Sequence, residues 1–151
     1  MKTGRLSDEL DGADLGDRRR ERRLVRVAES MAAFPAASLF SACGGWDEAM
    51  AAYRLLGSEE VTPEKILAPH REALLARAAE VPCVALIQDT TELDFSRMKH
   101  MEGCGPLSHE ERRGLLLHTS YAVSEAGLPL GVWHAEFLAR EDADFRGAAT
   151  R

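Results

Sequence analysis

Apolar positions recur at i, i+3, i+4 and i+7 through the first half of the chain. Beyond Pro82 they give way to short continuous or alternating runs, a change from helical to strand grammar. Leu24, Val27, Ala28 and Met31 fall within about 100° of one another on a helical wheel and predict an amphipathic helix. Asp17 is placed to cap its start, and Pro35 ends it by moving Phe34 out of helical backbone. After a loop closing in Gly44-Gly45, the spacing of Trp46, Ala49, Met50, Tyr53 and Leu56 predicts a second helix, stopped by Gly57. Thr62-Pro63-Glu64 opens a third, through Ile66, His70, Leu74 and Ala78 to Val81, with Pro69 kinking it or detaching its first turn.

In the second half, Cys83 to Ile87 is a continuous apolar run of strand length, as expected for a strand covered on both faces, and it ends in Gln88-Asp89-Thr90-Thr91. Residues 96–114 predict a loop. Leu115 to Val123 and Leu128 to Phe137 predict a hairpin turning at Ser124-Glu125-Ala126-Gly127. Helices followed by an antiparallel meander define an α+β chain. The expected divisions are a mobile arm over 1–14, with at most one helical turn, a small helical bundle over 15–81, three strands over 82–139 and a polar tail over 140–151.

Composition narrows the classes. A chain of 151 residues allows one domain or two small ones, and 45% hydrophobic with 29% charged residues is a globular mix. No apolar run approaches the roughly 18 residues of a membrane span, and the N-terminus is too polar for a signal peptide, so a cytosolic location is expected. Cys43, Cys83 and Cys104 lack any Cys-x-x-Cys spacing and read as buried thiols. The net charge of -6 argues against a coat held on nucleic acid by bulk charge. Its distribution points elsewhere. Arg18, Arg19, Arg20, Arg22, Arg23 and Arg26 face only Asp17 and Glu21 within the same stretch, a local excess of positive charge. Arg19, Arg22 and Arg26 form one ridge, which either meets successive phosphates or is a solvated, salt-bridged helix face.

Asp89 is the leading candidate for chemistry. A carboxylate ending an apolar buried strand is compensated either by a divalent metal such as Mg2+ or by the amides and hydroxyls of Thr90 and Thr91. Period-two alternation puts Asp89, Thr91 and Leu93 on one face and Glu92 and Asp94 on the other, so these acids do not converge. His109-Glu110 lacks the second histidine of a zinc-protease helix, because position 113 is Arg113. Gly103-Cys104-Gly105 lacks the third glycine and the leading strand of a dinucleotide fingerprint. His70, His100, His109, His118 and His134 show no ligand spacing.

Several segments together resemble a known family. Leu15-Gly16-Asp17-Arg18-Arg19, the helix to Met31, and Trp46-Asp47-Glu48-Ala49-Met50-Ala51-Ala52-Tyr53-Arg54 resemble the N-terminal DNA-binding domain of bacterial cut-and-paste transposases. The group is that of transposon five, within the insertion-sequence-four superfamily. Leu86-Ile87-Gln88-Asp89-Thr90-Thr91-Glu92, Gly114-Leu115-Leu116-Leu117-His118 and Gly127-Leu128-Pro129-Leu130-Gly131 resemble the first three strands of its DDE domain. The resemblance implies a ribonuclease-H-like second half, left incomplete as an antiparallel meander with a poorly covered face and an open edge. It implies double-stranded DNA, the inverted-repeat end, as partner, with contacts from Arg18, Arg19 and Arg54, and it favours the phosphate-binding reading of the ridge that adds Arg22 and Arg26. Asp89 would be the first acid of a triad that holds Mg2+ in the intact family.

The second aspartate and the glutamate of that triad have no counterpart here. The resemblance therefore implies a truncated enzyme that neither holds the metals stably nor cuts DNA alone. Two other roles stay open: a regulator that occupies transposon ends or pairs with a full-length transposase, and a helical protein-interaction module without DNA binding.

Overall fold

The computed structural model describes residues 6–98, 100–109 and 111–141. The chain divides into two compact units, Met1–Ala76 and Arg77–Arg151. The helical unit contains α1 (Leu6–Leu10), α2 (Arg18–Ala33), α3 (Leu39–Ala42), α4 (Trp46–Leu56) and most of α5 (Pro63–Ala78). Asp17 caps α2 by accepting the Arg19 N–H at 2.7 Å, and Gly57 closes α4 by donating its N–H to the Tyr53 carbonyl. Thr62 Oγ1 accepts the Lys65 N–H at 3.3 Å at the head of α5. The sequence spacing anticipates these three helices. α5 nevertheless ends at Ala78 instead of Val81 and runs through Pro69 as one element.

The first correction concerns the N-terminal arm. Residues 6–15 are built into the core: Leu10, Ala13 and Leu15 are buried with Leu24 and Val27 of α2 and Ala52 and Leu55 of α4. Full burial of a leucine is worth about 1.5–3 kcal/mol, which ties this segment down despite its sparse apolar residues. A hydrogen bond of 2.6 Å between His70 Nδ1 and Glu9 Oε2 fastens α1 to α5. Residues 1–5 of the expected arm lie outside the described residues. A second difference is α3, within what reads as a loop; Ser38 caps this short helix by accepting the Ser41 N–H.

The second unit is a sheet of β1 (Val84–Asp94), β2 (Gly105–Pro106), β3 (Arg113–Ser124) and β4 (Pro129–Leu138). β3 is central. All its partners are antiparallel: β1 along one side, with Asp89 opposite Thr119, and β4 and the short β2 along the other. The hairpin turns at the expected residues, where the Gly127 N–H donates to the Ser124 carbonyl and Gly127 adopts a φ of 77°. The α+β order is as the sequence predicts. At Gly114 the backbones approach so closely that a Cβ would lie 1.9 Å from the Leu93 carbonyl oxygen.

Here too the structure corrects expectations. β1 continues through the acids to Asp94, so Asp89 is mid-strand and not at a strand end. Leu86 and Ile87 point to opposite faces, yet are 53% and 56% exposed, so β1 is not covered on both faces. Cys83 is exposed, not buried, while Cys43 and Cys104 are half-buried. Of the predicted tail, residues 142–151 lie outside the described residues.

Candidate nucleic-acid interface

α2 sets the cationic surface of the helical unit. Its apolar stripe packs inward through Leu24 and Val27, which leaves most of the arginines to its flanks and outer face. α4 lies along one flank and turns it into a cleft of about 440 Å³, lined by Asp17, Arg19, Arg20, Arg23, Ala51, Arg54, Leu55 and Ser58. A smaller depression of about 200 Å³ adjoins it and is lined by Arg19, Arg22, Arg23 and Arg26. The ridge of Arg19, Arg22 and Arg26 is thus continuous with the cleft.

Arg18 lines neither of these two hollows. It lines a different cleft with Asp11, Asp14, Glu21 and Arg22, where nearby acids offset its charge. Arg20 and Arg23 are the cleft residues that sequence reasoning left out of the site. On the wheel Arg23 lies beside the apolar stripe and Arg20 falls within it, and only the position of α4 turns that flank into a groove.

The fixed acids around the arginines are few. Arg19 pairs with Asp17, at 3.2 Å from its Nη2 to Oδ2, while its side chain remains 89% exposed. The Arg19 backbone N–H, then its guanidinium, hold the Asp17 carboxyl below the ordinary value. Glu48 of α4 bridges α2, bonding Arg23 and, at 3.2 Å, Arg26. Arg20 donates from Nη1 to the Leu15 carbonyl at 2.9 Å, and Arg54 from Nε to the Met50 carbonyl at 3.2 Å. Each guanidinium has five N–H donors, so these bonds orient the groups and leave donors for an anion.

In the sheet unit, Asp89 is exposed and accepts the Thr91 hydroxyl at 3.4 Å. Glu92 and Asp94 face the other way, as alternation predicts. Glu92 accepts the Ser108 hydroxyl and its N–H, which hold its carboxyl below the ordinary value. Asp94 accepts from Ser96 and from Arg112 Nε at 2.9 Å, and these bonds pull it down to about 2. Mg2+ needs several oxygen ligands, and a two-metal centre needs ligands on both ions. A single exposed carboxylate with a threonine hydroxyl does not fit that requirement. Among the described residues no three His, Cys, Asp or Glu side chains gather as a metal site. Of the histidines, His118 Nδ1 lies 2.8 Å from Thr90 Oγ1, a cross-strand hydrogen bond.

A helical domain with an arginine-lined cleft is suited to a polyanion with regularly spaced phosphates. A family model described as transposase DNA-binding matches residues 3–61, the stretch that holds α1 to α4 and every residue of the cleft. This part of the chain is similar to the N-terminal DNA-binding domain of transposases, and the match supports a transposase-related role with DNA as partner. Among the described residues no helix is long and apolar enough to cross a membrane.

Proposed function

We propose that this chain recognises the inverted-repeat end of a transposable element as double-stranded DNA, in the manner of bacterial transposases of the transposon-five group. The observation that carries the reading is the coincidence of the DNA-binding match at residues 3–61 with the cleft of Arg19, Arg20, Arg23 and Arg54. Phosphates would occupy the cleft and the adjoining ridge of Arg22 and Arg26, which fixes register on the duplex without reading sequence. Arg18 makes a peripheral contact at most, given the acids around it.

The sheet unit is proposed as the opening of a ribonuclease-H-like domain with Asp89 as its first acid. The further acids of the triad, and with them stable Mg2+ binding, would come from outside these residues. By itself the chain then binds ends without cutting them. Among the described residues Asp89 does not gather with other acids as a metal site, which also favours a second role, in which the chain occupies ends or pairs with a full-length transposase and inhibits it.

A competition gel shift tests the first part. The terminal repeat of the element encoding the chain should displace labelled repeat at lower concentration than a scrambled duplex; equal displacement would reject end recognition. Nicking or joining of that repeat by the purified chain with magnesium alone would reject the division between binding and cutting.

A further inference from the structure

The helical unit exposes more aromatic surface than its core requires. Trp46 is 67% exposed, Tyr53 49% and Phe40 43%. Trp46 and Tyr53 lie seven residues apart on α4, within about 20° on the wheel, with half-buried Met50 between them. The inward face of the helix is made instead by Ala49, Ala52 and Leu55. Phe40 of α3 meets the Trp46 ring edge to face, with centroids 6.0 Å apart and planes at 66°, which holds the indole at the corner where α3 turns into α4.

Exposed rings of this size are unfavourable in water unless a partner covers them. The neighbouring charge indicates which partner. Arg54 follows Tyr53 on the same helix and lines the cationic cleft, so on the wheel it stands between the aromatic stripe and the cleft of Arg19, Arg20 and Arg23. Aromatic faces beside guanidinium groups fit nucleotides whose bases are free to stack while their phosphates are held. A fully paired duplex presents its bases edge-on and offers these rings little.

We propose that Trp46 and Tyr53 stack on unpaired bases of the bound DNA. The helical unit would then prefer an end carrying unpaired nucleotides over a continuous duplex. This rests on the DNA-binding reading above and adds to it a class of DNA structure.

The test uses the full chain with Trp133→Phe, which leaves Trp46 as its one tryptophan among the two in the sequence. Its fluorescence is titrated with three probes of equal length: a paired duplex, the same duplex with a short run of unpaired bases at one end, and a single strand. The expected result is strong quenching and about tenfold tighter binding with the partly unpaired duplex. Read by the anisotropy of the same three probes carrying a fluorescent label, because Trp46 variants in this background have no tryptophan, Trp46→Ala and Tyr53→Ala should each abolish that preference while the paired duplex still binds in a salt-sensitive way. Trp46→Phe should restore part of it.

Equal affinity for paired and unpaired ends, or a preference untouched by Trp46→Ala, would overturn the proposal and leave the DNA-binding reading standing. Absence of binding to every probe would overturn the DNA-binding reading itself. If Trp46→Ala instead disperses a self-associated species in sedimentation velocity and leaves DNA affinity unchanged, the stripe is a protein interface and the proposal is wrong.

Discussion

Glu48 is the acid that most restrains the cationic surface, and removing its charge should tighten DNA binding. Its carboxylate bonds Arg23 and, at 3.2 Å, Arg26, so two of the six α2 arginines between Asp17 and Glu29 share one counter-charge. Glu48→Gln keeps the shape and a hydrogen-bond acceptor but frees both guanidiniums for phosphate. A unit charge at about 4 Å in bulk water is worth about 1 kcal/mol, so one recovered contact should tighten duplex binding about fivefold and two about thirtyfold. The effect should be greatest at low salt, and the dependence of log affinity on log salt should steepen by about 0.9 per recovered phosphate. The folding cost should be small, because the bridge is partly exposed: about 0.2–1 kcal/mol for each pair. Fluorescence anisotropy with a labelled duplex at several salt concentrations measures the affinity, and urea denaturation measures the cost. Unchanged or weaker DNA binding by a folded Glu48→Gln protein would refute the assignment of this face to phosphate.

Gly114→Ala should destabilise the sheet unit by about 3 kcal/mol or more, since its Cβ would overlap the Leu93 carbonyl and backbone must move; a thermal melt within a degree of the parent would contradict the close approach. Asp94 is lowered to about 2 from 3.8, so the stability it adds is fully present above pH 3.8 and is lost as pH falls through about 2. Asp94→Asn should therefore flatten the denaturation midpoint over that interval, and an unaltered acid dependence would speak against its bonds to Ser96 and Arg112. Asp89→Ala should leave duplex affinity within about twofold of the parent, because Asp89 belongs to the sheet unit. A large loss in the gel shift would show that Asp89 takes part in binding.

The helices were legible where local chemistry decides them. Asp17, Gly57 and Thr62-Pro63 act through backbone bonds within a few residues, and those bonds are found. The hairpin was legible for the same reason, through the turn at Gly127. What could not be read depended on distant partners. Leu10, Ala13 and Leu15 look too sparse to fold until α2 and α4 supply their other neighbours. The run Val84 to Ile87 has the composition of a doubly covered strand, but composition does not provide the cover, and Leu86 and Ile87 stand exposed.

The candidate site divides similarly. The ridge of Arg19, Arg22 and Arg26 follows from periodicity within one helix. Arg20 and Arg23 join the cleft only because α4 lies beside them, and Arg18 stays outside it because it stands on another side of α2, in a hollow shared with Asp11, Asp14 and Arg22. On α4, the spacing of Trp46, Ala49, Met50, Tyr53 and Leu56 finds the helix, but the face that is buried is made by Ala49, Ala52 and Leu55. Close helix packing favours small side chains at the contact, a preference that a count of apolar residues does not register.

The most direct measurement of the central claim is the salt dependence of duplex binding by the intact chain and by Arg19→Ala, Arg20→Ala and Arg54→Ala. With Arg23 held by Glu48, a cleft that holds about three phosphates predicts a log–log slope of about -2.7 for the parent, shallower by about 1 for each substitution. Binding that is absent, insensitive to salt, or unaffected by all three substitutions would contradict the account.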